Sequence, residues 1–263
     1  MENAIEVQDL KKTFRLKGKT APVEAVRGVT LSVGYGEIFG FLGPNGAGKT
    51  TCQRMLTTLL PIDGGAAAIG GFDVQREPHE VRKRIGYVSQ LGGADLPATG
   101  RENLRLTGRL YGLKPRETEE KIEELGRLLA LEELLDRIVR TYSGGQKRRL
   151  EIALGLMHEP DILFMDEPTT GLDPQNRANL WTHIRKLKEK GMTIFLTTHY
   201  LDEADELADR LAIMDHGQIV AEGTPDALKN QIAADVLGPP SLNDVFLIKT
   251  GLALRDTGKE GLS

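Results

Sequence analysis

Cysteine is almost missing: Cys52 is the only one in 263 residues. A single thiol excludes an intramolecular disulfide and a cysteine-based metal cluster within the chain. It agrees with a reducing compartment without proving one. Aromatic residues are also scarce, at 5%, whereas glycine reaches 30 residues. That balance points to many tight turns and close backbone approaches rather than to an aromatic-rich core. An unbroken apolar run of about 18 residues, the length a bilayer span needs, is lacking as well. Any membrane role must therefore come through a partner. Met1 to Leu10 carries Glu2, Glu6 and Asp9 and no apolar stretch, and does not read as a secretory signal. There is no basic excess either: 34 basic against 38 acidic residues give a net charge of −4. A generic nucleic-acid binder usually shows the opposite balance, so no nucleic-acid partner is expected. Internal repeats and low-complexity tracts are absent too.

What remains is the composition of a soluble globular protein, with 40% hydrophobic and 27% charged residues. The length suits one large domain or two small ones. Apolar runs without alternation recur at Glu37–Leu42, Ile85–Ser89, Asp161–Met165, Met192–Thr197 and Arg210–Met214. Such runs suit strands covered on both faces, as in a parallel sheet. Helical patterns lie between them. A helix-compatible run covers Lys49 to Leu60. Ile122, Leu125 and Leu129 share one face, as do Leu150, Ala153, Leu154 and Met157. Leu180, Ile184 and Leu187 do the same after Pro174, a residue suited to a first helical turn. Strand–helix alternation argues for an α/β fold. The stretch from about Leu91 to Thr141 shows no convincing strand and reads as an all-helical insertion. After Gly223 a short helix is expected, then a break at Gly238-Pro239-Pro240 and a last short element.

Gly43-Pro44-Asn45-Gly46-Ala47-Gly48-Lys49-Thr50 fits G-x-x-x-x-G-K-[ST] without a gap, between a strand candidate and a helix candidate. Glycines let backbone N–H groups converge on phosphate oxygens, and the helix N-terminus adds a dipole that favours anions. Lys49 would neutralise β- and γ-phosphate charge, Thr50 would ligate Mg²⁺, and Thr51 follows in the same nucleotide site. The competing reading is a Gly-rich strand–helix turn with a chance lysine. Downstream, Ile162-Leu163-Phe164-Met165-Asp166-Glu167 is an apolar strand ending in two acids. A strand end beside the phosphate loop is where ligands bind in open α/β sheets. Asp166 would hold Mg²⁺ directly or through water, and Glu167 would polarise the water that attacks the γ-phosphate. Alone, an Asp-Glu pair before Pro168 is more simply a solvated turn; its place after the phosphate loop favours function.

Tyr142-Ser143-Gly144-Gly145-Gln146 lies just upstream of that acidic strand. Ser143 is a good N-cap, and Gly144 and Gly145 expose N–H groups at a helix start, which makes a second anion site. For these few residues alone, a flexible turn before an amphipathic helix is as good a reading. Gln90 follows the strand Ile85–Ser89, Gly171-Leu172-Asp173-Pro174 follows the acids, and His199 follows Met192–Thr197. Six motifs in this order, over nearly the whole chain, resemble the ATP-binding subunit of an ABC transporter.

The resemblance implies a P-loop NTPase core with a mostly parallel sheet, an N-terminal antiparallel β region and an inserted α-helical subdomain. It implies a nucleotide-binding domain over 1–225, with the helical part at about 91–145, and a short extension over 226–263. It also implies ATP and Mg²⁺ as ligands. A second copy, head to tail, would complete each ATP site with Ser143, Gly144, Gly145 and Gln146. Gln90 resembles the residue that touches Mg²⁺ or water and links the core to the helical insertion. A polar strand-end residue is its plainer reading. His199 resembles the switch histidine on the γ-phosphate, against a capping residue for the helix after it. Asp173 resembles the aspartate that joins the two active sites. Phe14 matches the adenine-stacking aromatic by position, or is a core aromatic. Tyr142 replaces the usual leucine, at a position that packs rather than coordinates.

A finer resemblance rests on Gly100-Arg101-Glu102-Asn103-Leu104, on Gly108-Arg109-Leu110-Tyr111-Gly112 and on Thr197 to Ala204. The tail Pro240-Ser241-Leu242-Asn243-Asp244-Val245-Phe246 adds to it. These look like drug-resistance exporters of the daunorubicin-resistance type. They imply a separate ABC-2-type permease and a place on the cytoplasmic face of the cell membrane, peripheral through that permease. The ATPase of an importer shares every catalytic motif, and a non-transport ABC ATPase such as a cluster-assembly factor has a similar size. His79, His158, His183 and His216 form no metal-like spacing. His216-Gly217 reads as a hairpin turn, Cys52 as a small buried residue, and Lys147-Arg148-Arg149 as a solvated or phosphate-proximal helix face.

Overall fold

The computed structural model describes residues 3–15, 21–236 and 238–251. Its first half runs β1 (Asn3–Phe14), β2 (Val23–Gly34), β3 (Ile38–Leu42), α1 (Lys49–Leu56), β4 (Gly64–Ile69), β5 (Phe72–Asp73), α2 (Pro78–Arg84) and β6 (Ile85–Val88). Two helices follow, α3 (Gly100–Leu110) and α4 (Pro115–Leu129), then a 3-10 turn at Val139–Thr141 and α5 (Gly144–Leu156). The second half runs β7 (Ile162–Asp166), α6 (Pro174–Glu189), β8 (Thr193–Thr198), α7 (Leu201–Leu207), β9 (Arg210–Asp215), β10 (Gln218–Gly223), α8 (Pro225–Gln231) and α9 (Leu242–Thr250).

The strands form two sheets. One is antiparallel, in the order β2-β1-β4-β5. The other has the order β10-β9-β3-β8-β7-β6. Its β3, β6, β7, β8 and β9 are parallel, and β10 pairs antiparallel at one edge. Every residue of β3, β7 and β8 is buried, as the apolar runs predict for strands covered on both faces. Phe39, Phe41 and Phe164 all pack on Phe195, with ring centroids 5.3–5.6 Å apart. Few aromatics thus serve the core, because they are gathered at one place. The β9–β10 hairpin turns through His216 (φ 44) and Gly217 (φ 81). Both residues are left-handed, as a two-residue hairpin with the sheet's own twist requires.

The helix expected over Lys49–Leu60 stops at Leu56. Leu60 precedes Pro61, whose ring disfavours helical geometry in the residue before it, and Thr58 turns to φ 62. Between β6 and β7, α3, α4 and α5 bury Leu104, Ile122, Leu125, Leu129 and Leu150 against each other and against Leu163 and Met165 of β7. Of the stripe read on α5, Leu154 is only partly buried, because it lies toward an open groove. Leu228, Ile232, Leu242 and Phe246 of the last helices pack with Leu42, Leu211 and Ile213 of the parallel sheet.

Candidate active site

The loop after β3 carries the Gly43–Thr50 motif to the start of α1. Gly48 lies at φ 105, and a β-carbon there would fall 2.3 Å from the Ala25 carbonyl oxygen. Only glycine lets the chain turn that tightly. Lys49 begins α1, and its buried Nζ donates to the carbonyls of Gly43 at 2.7 Å and Pro44 at 3.1 Å. The same ammonium lies 3.8 Å from Glu167 Oε1. Burial pushes the Lys49 pKa below the ordinary ammonium value, although Glu167 and Asp166 oppose this. The loop therefore holds a desolvated cation beside freely presented backbone N–H groups, the chemistry of a phosphate cradle.

β7 delivers the two acids. Asp166 Oδ1 accepts from Thr50 Oγ1 at 3.1 Å and from Thr197 Oγ1 at 2.7 Å. Thr50 and Asp166 therefore offer one hydroxyl and one carboxylate oxygen at the same point. Mg²⁺ is typically held by one or two carboxylates together with phosphates and waters, so this donor set fits it. Among the described residues no cluster of three His, Cys, Asp or Glu side chains forms a closed protein cage.

Glu167 is the meeting point of the site. Its carboxylate accepts from Gln90 Nε2 and from Thr170 Oγ1, each at 3.1 Å, and His199 Nδ1 stands 3.2 Å from the same oxygen. Its backbone sits at φ 45, a conformation that costs a non-glycine residue about 1–3 kcal/mol. The Glu167 N–H holds this turn by donating to the Thr197 carbonyl and hydroxyl, each at 3.1 Å. Burial raises the Glu167 pKa, but the adjacent His199, the charge of Lys49 and the Thr170 hydroxyl outweigh it. The carboxyl is therefore held below its ordinary value and stays ionised, as a proton acceptor must.

These groups line one cleft of about 560 Å³, including Asn45, Lys49, Thr51, Gln90, Glu167 and His199. Ala25, Thr170 and Tyr200 line it too, and single-sequence reading did not pick them out. The Thr197–Tyr200 run carried the only signal for Tyr200, whose ring lies inclined at 39° against His199 and under Arg177. Phe14 lies elsewhere, at the end of β1 paired with Val23, with Lys12 Nζ 5.7 Å from its ring centroid.

The Ser143 segment also stands apart from the cleft. Ser143 caps α5: its hydroxyl accepts from the Gln146 N–H at 3.3 Å, and Gln146 Oε1 accepts from the Ser143 N–H at 2.8 Å. Gly144 is exposed at the helix tip. Gly145 packs so closely on Asn176 that a β-carbon would lie 2.6 Å from its Oδ1. Asp173 caps α6 by accepting from the Asn176 N–H at 3.0 Å. Asn176 thus joins the two turns that single-sequence reading placed at a subunit boundary.

Of the basic run, expected as a solvated or phosphate-proximal helix face, two members turn inward. Arg148 is buried and donates to the carbonyls of Ser89, Asp166 and Pro168. Arg149 donates to the Leu129 and Ala130 carbonyls, at 2.8 and 2.7 Å, where α4 ends. Unpaired carbonyls at a helix end and around a strained turn attract both cations inward. Cys52 is wholly buried, and burial pushes its thiol up to about 12.

A phosphate cradle, a carboxylate–hydroxyl pair for a hard cation and an ionised buried glutamate define a nucleotide-hydrolysing P-loop protein. The family model described as ABC transporter matches residues 26–170. The daunorubicin/doxorubicin resistance ATP-binding protein DrrA of Streptomyces peucetius is 47% identical over 234 residues, 89% of this chain and 69% of that protein. The doxorubicin resistance ATP-binding protein DrrA of Mycobacterium tuberculosis is 43% identical over 252 residues, 95% of this chain and 75% of that protein. A solved structure, described as the ATP binding subunit of an ABC transporter, superimposes with a TM-score of 0.78 at 31% identity, covering 93% of this chain and 98% of that one. The chain belongs to the ABC transporter ATP-binding family, and it is an ATPase.

Proposed function

We propose that this chain is the ATP-hydrolysing subunit of an ABC-2-type exporter that works through a separate permease. The observation that carries the reading is the 47% identity to a drug-resistance ATP-binding protein along 89% of the chain. No helix among the described residues is long and apolar enough to cross a membrane; in this reading the transport path lies in the partner. That partner would keep the chain at the cytoplasmic face of the cell membrane.

In this reading Gly43 to Thr51 bind the phosphates and Lys49 neutralises their charge. Thr50, Gln90 and Asp166 would hold Mg²⁺, which would supply charge compensation for the bound phosphates. Glu167 orients and deprotonates the attacking water, and Gln90 and His199 fix its carboxylate. Ser143 to Gln146 are not among the residues that line the cleft of their own chain. A second copy, head to tail, would present them to the nucleotide, with Asp173 at the junction. Phe14 is proposed to flank the base. The nucleotide-binding domain then spans 1–225, with a helical part near 91–145, and 226–263 is an extension. An apolar groove between Leu59, Tyr87, Leu154 and Tyr111 opens beside the exposed Leu110 (77%) and is the surface we assign to the permease.

The test is to isolate tagged Glu167→Gln protein from membranes with ATP and Mg²⁺ and identify what accompanies it. The expected result is a nucleotide-trapped dimer with a polytopic permease of the ABC-2 class. A soluble scaffold as sole companion would overturn the transport assignment.

A further inference from the structure

Arg148 is 6% exposed, five residues into the chain segment that Ser143 opens. Its guanidinium reaches three carbonyls on two separate pieces of backbone. Nε donates to the Pro168 carbonyl at 2.8 Å, Nη2 to the Asp166 carbonyl at 2.9 Å, and Nη1 to the Ser89 carbonyl at 2.6 Å. The buried charge is met by Glu151 Oε2 at 2.9 Å, one helical turn further on. Asp166 and Pro168 are the residues on either side of Glu167, which sits at φ 45. Ser89 directly precedes Gln90, whose amide donates to the Glu167 carboxylate.

One rigid fork therefore grips the chain before and after the general base, and also just before the residue that orients it. The planar guanidinium can make these bonds at once because its donors point outward in fixed directions; an ammonium reaches fewer of them in the same geometry. Burying a cation is costly unless it is paired and hydrogen-bonded; Arg148 is paired with Glu151 and bonded to three carbonyls. A strained turn persists only when its surroundings fix it, and Arg148 supplies two of the fixing bonds.

We propose that Arg148 is a positioning residue for ATP hydrolysis: from the helix opened by Ser143, it fixes the Glu167 turn and the start of the Gln90 loop. The inference rests on the roles assigned above to Glu167 and Gln90. Arg148 is not among the residues that line the cleft, so its loss is expected to slow the chemical step and spare ATP binding. Misplacing a catalytic group by about 1 Å is enough to cost up to roughly a hundredfold in rate.

The experiment compares full-length Arg148→Gln, Arg148→Lys, Gln90→Ala and the Arg148→Gln/Gln90→Ala double variant in steady-state ATPase assays. ATP affinity is read separately by equilibrium binding. Arg148→Gln is expected to lower kcat by about tenfold or more, with KM and ATP affinity within about threefold of wild type. Arg148→Lys, which keeps the charge but not the fork, recovers part of the rate. It also carries the measurement if Arg148→Gln does not fold. The double variant loses no more than the worse single variant, because both act on one carboxylate; damage of a merely structural kind would multiply. Wild-type kcat in both Arg148 variants, or a parallel loss of affinity and rate, would overturn the inference. Glu167→Gln is run alongside. Wild-type hydrolysis by that variant would sink the site assignment itself. Its inactivity beside fully active Arg148 variants would sink only the role of Arg148.

Discussion

The Tyr142 hydroxyl fills the space where a side chain on Gly100 would stand: a β-carbon on Gly100 would lie 2.5 Å from it. The same hydroxyl donates to the Leu134 carbonyl, so the buried tyrosine pins the start of α3 to the chain ahead of α5. Gly100→Ala should cost about 1–3 kcal/mol through overpacking, measured by urea denaturation. Tyr142→Phe alone should cost about 1 kcal/mol for the lost hydrogen bond. The double variant should be more stable than the sum of the two predicts, because the clash is gone. Additive losses would mean that the two residues do not share this space.

Lys49 is held by two loop carbonyls and faces Glu167 across 3.8 Å. Its removal takes away the charge the cradle offers to phosphate and a charge-assisted hydrogen bond of about 1.5–3 kcal/mol. Lys49→Ala should raise the equilibrium dissociation constant for ATP by at least about tenfold. Titration of nucleotide binding in the absence of turnover checks this. A variant that binds ATP as wild type does, yet fails to hydrolyse it, would move Lys49 from binding to the chemical step alone.

The sheet was legible where burial on both faces turns a strand into an apolar run, as in Ile38–Leu42, Ile162–Asp166 and Thr193–Thr198. It was hardest to read at Gly64–Ile69, where glycine and alanine give no strand preference and pairing with β1 supplies the order. The phosphate cradle was legible because loop, strand and helix are contiguous in sequence. Arg148 was not, because the carbonyls that draw it inward come from 18 to 59 residues away. A basic triplet looks the same in sequence whether water or a strained turn receives it.

Glu167 carries a pH signature of one sign. Its folded pKa is lowered from 4.5: burial alone would raise it, but His199, Lys49 and Thr170 outweigh burial. A lowered acid contributes stability that is complete above about pH 4.5 and is lost as the pH falls through the folded value. Wild type should therefore lead Glu167→Gln in melting temperature near pH 5, with the margin shrinking below about pH 4.5. A margin that grows on acidification would contradict the ionised, partnered state of this carboxylate.

Glu203 carries the opposite sign from a position behind the same site. It is 0% exposed in the first turn of α7, and the Trp181 Nε1–H donates to its Oε1 at 3.2 Å. Burial pushes its pKa above 4.5, and the Thr198 and Thr169 hydroxyls, Trp181 and Arg177 oppose this only in part. The unfolded chain then releases the Glu203 proton at lower pH than the folded chain does, so stability drains away as the pH rises from about 4.5 through the folded value. Glu203→Gln, which keeps the shape and an acceptor for Trp181, removes that drain. It should melt measurably above wild type at pH 7. The gain should fade toward pH 4, where both states of the wild type hold the proton. Paired thermal melts at pH 4, 5.5 and 7 check the sign. A Glu203→Gln protein that is less stable at every pH would show that the ionised carboxylate is needed in the folded state.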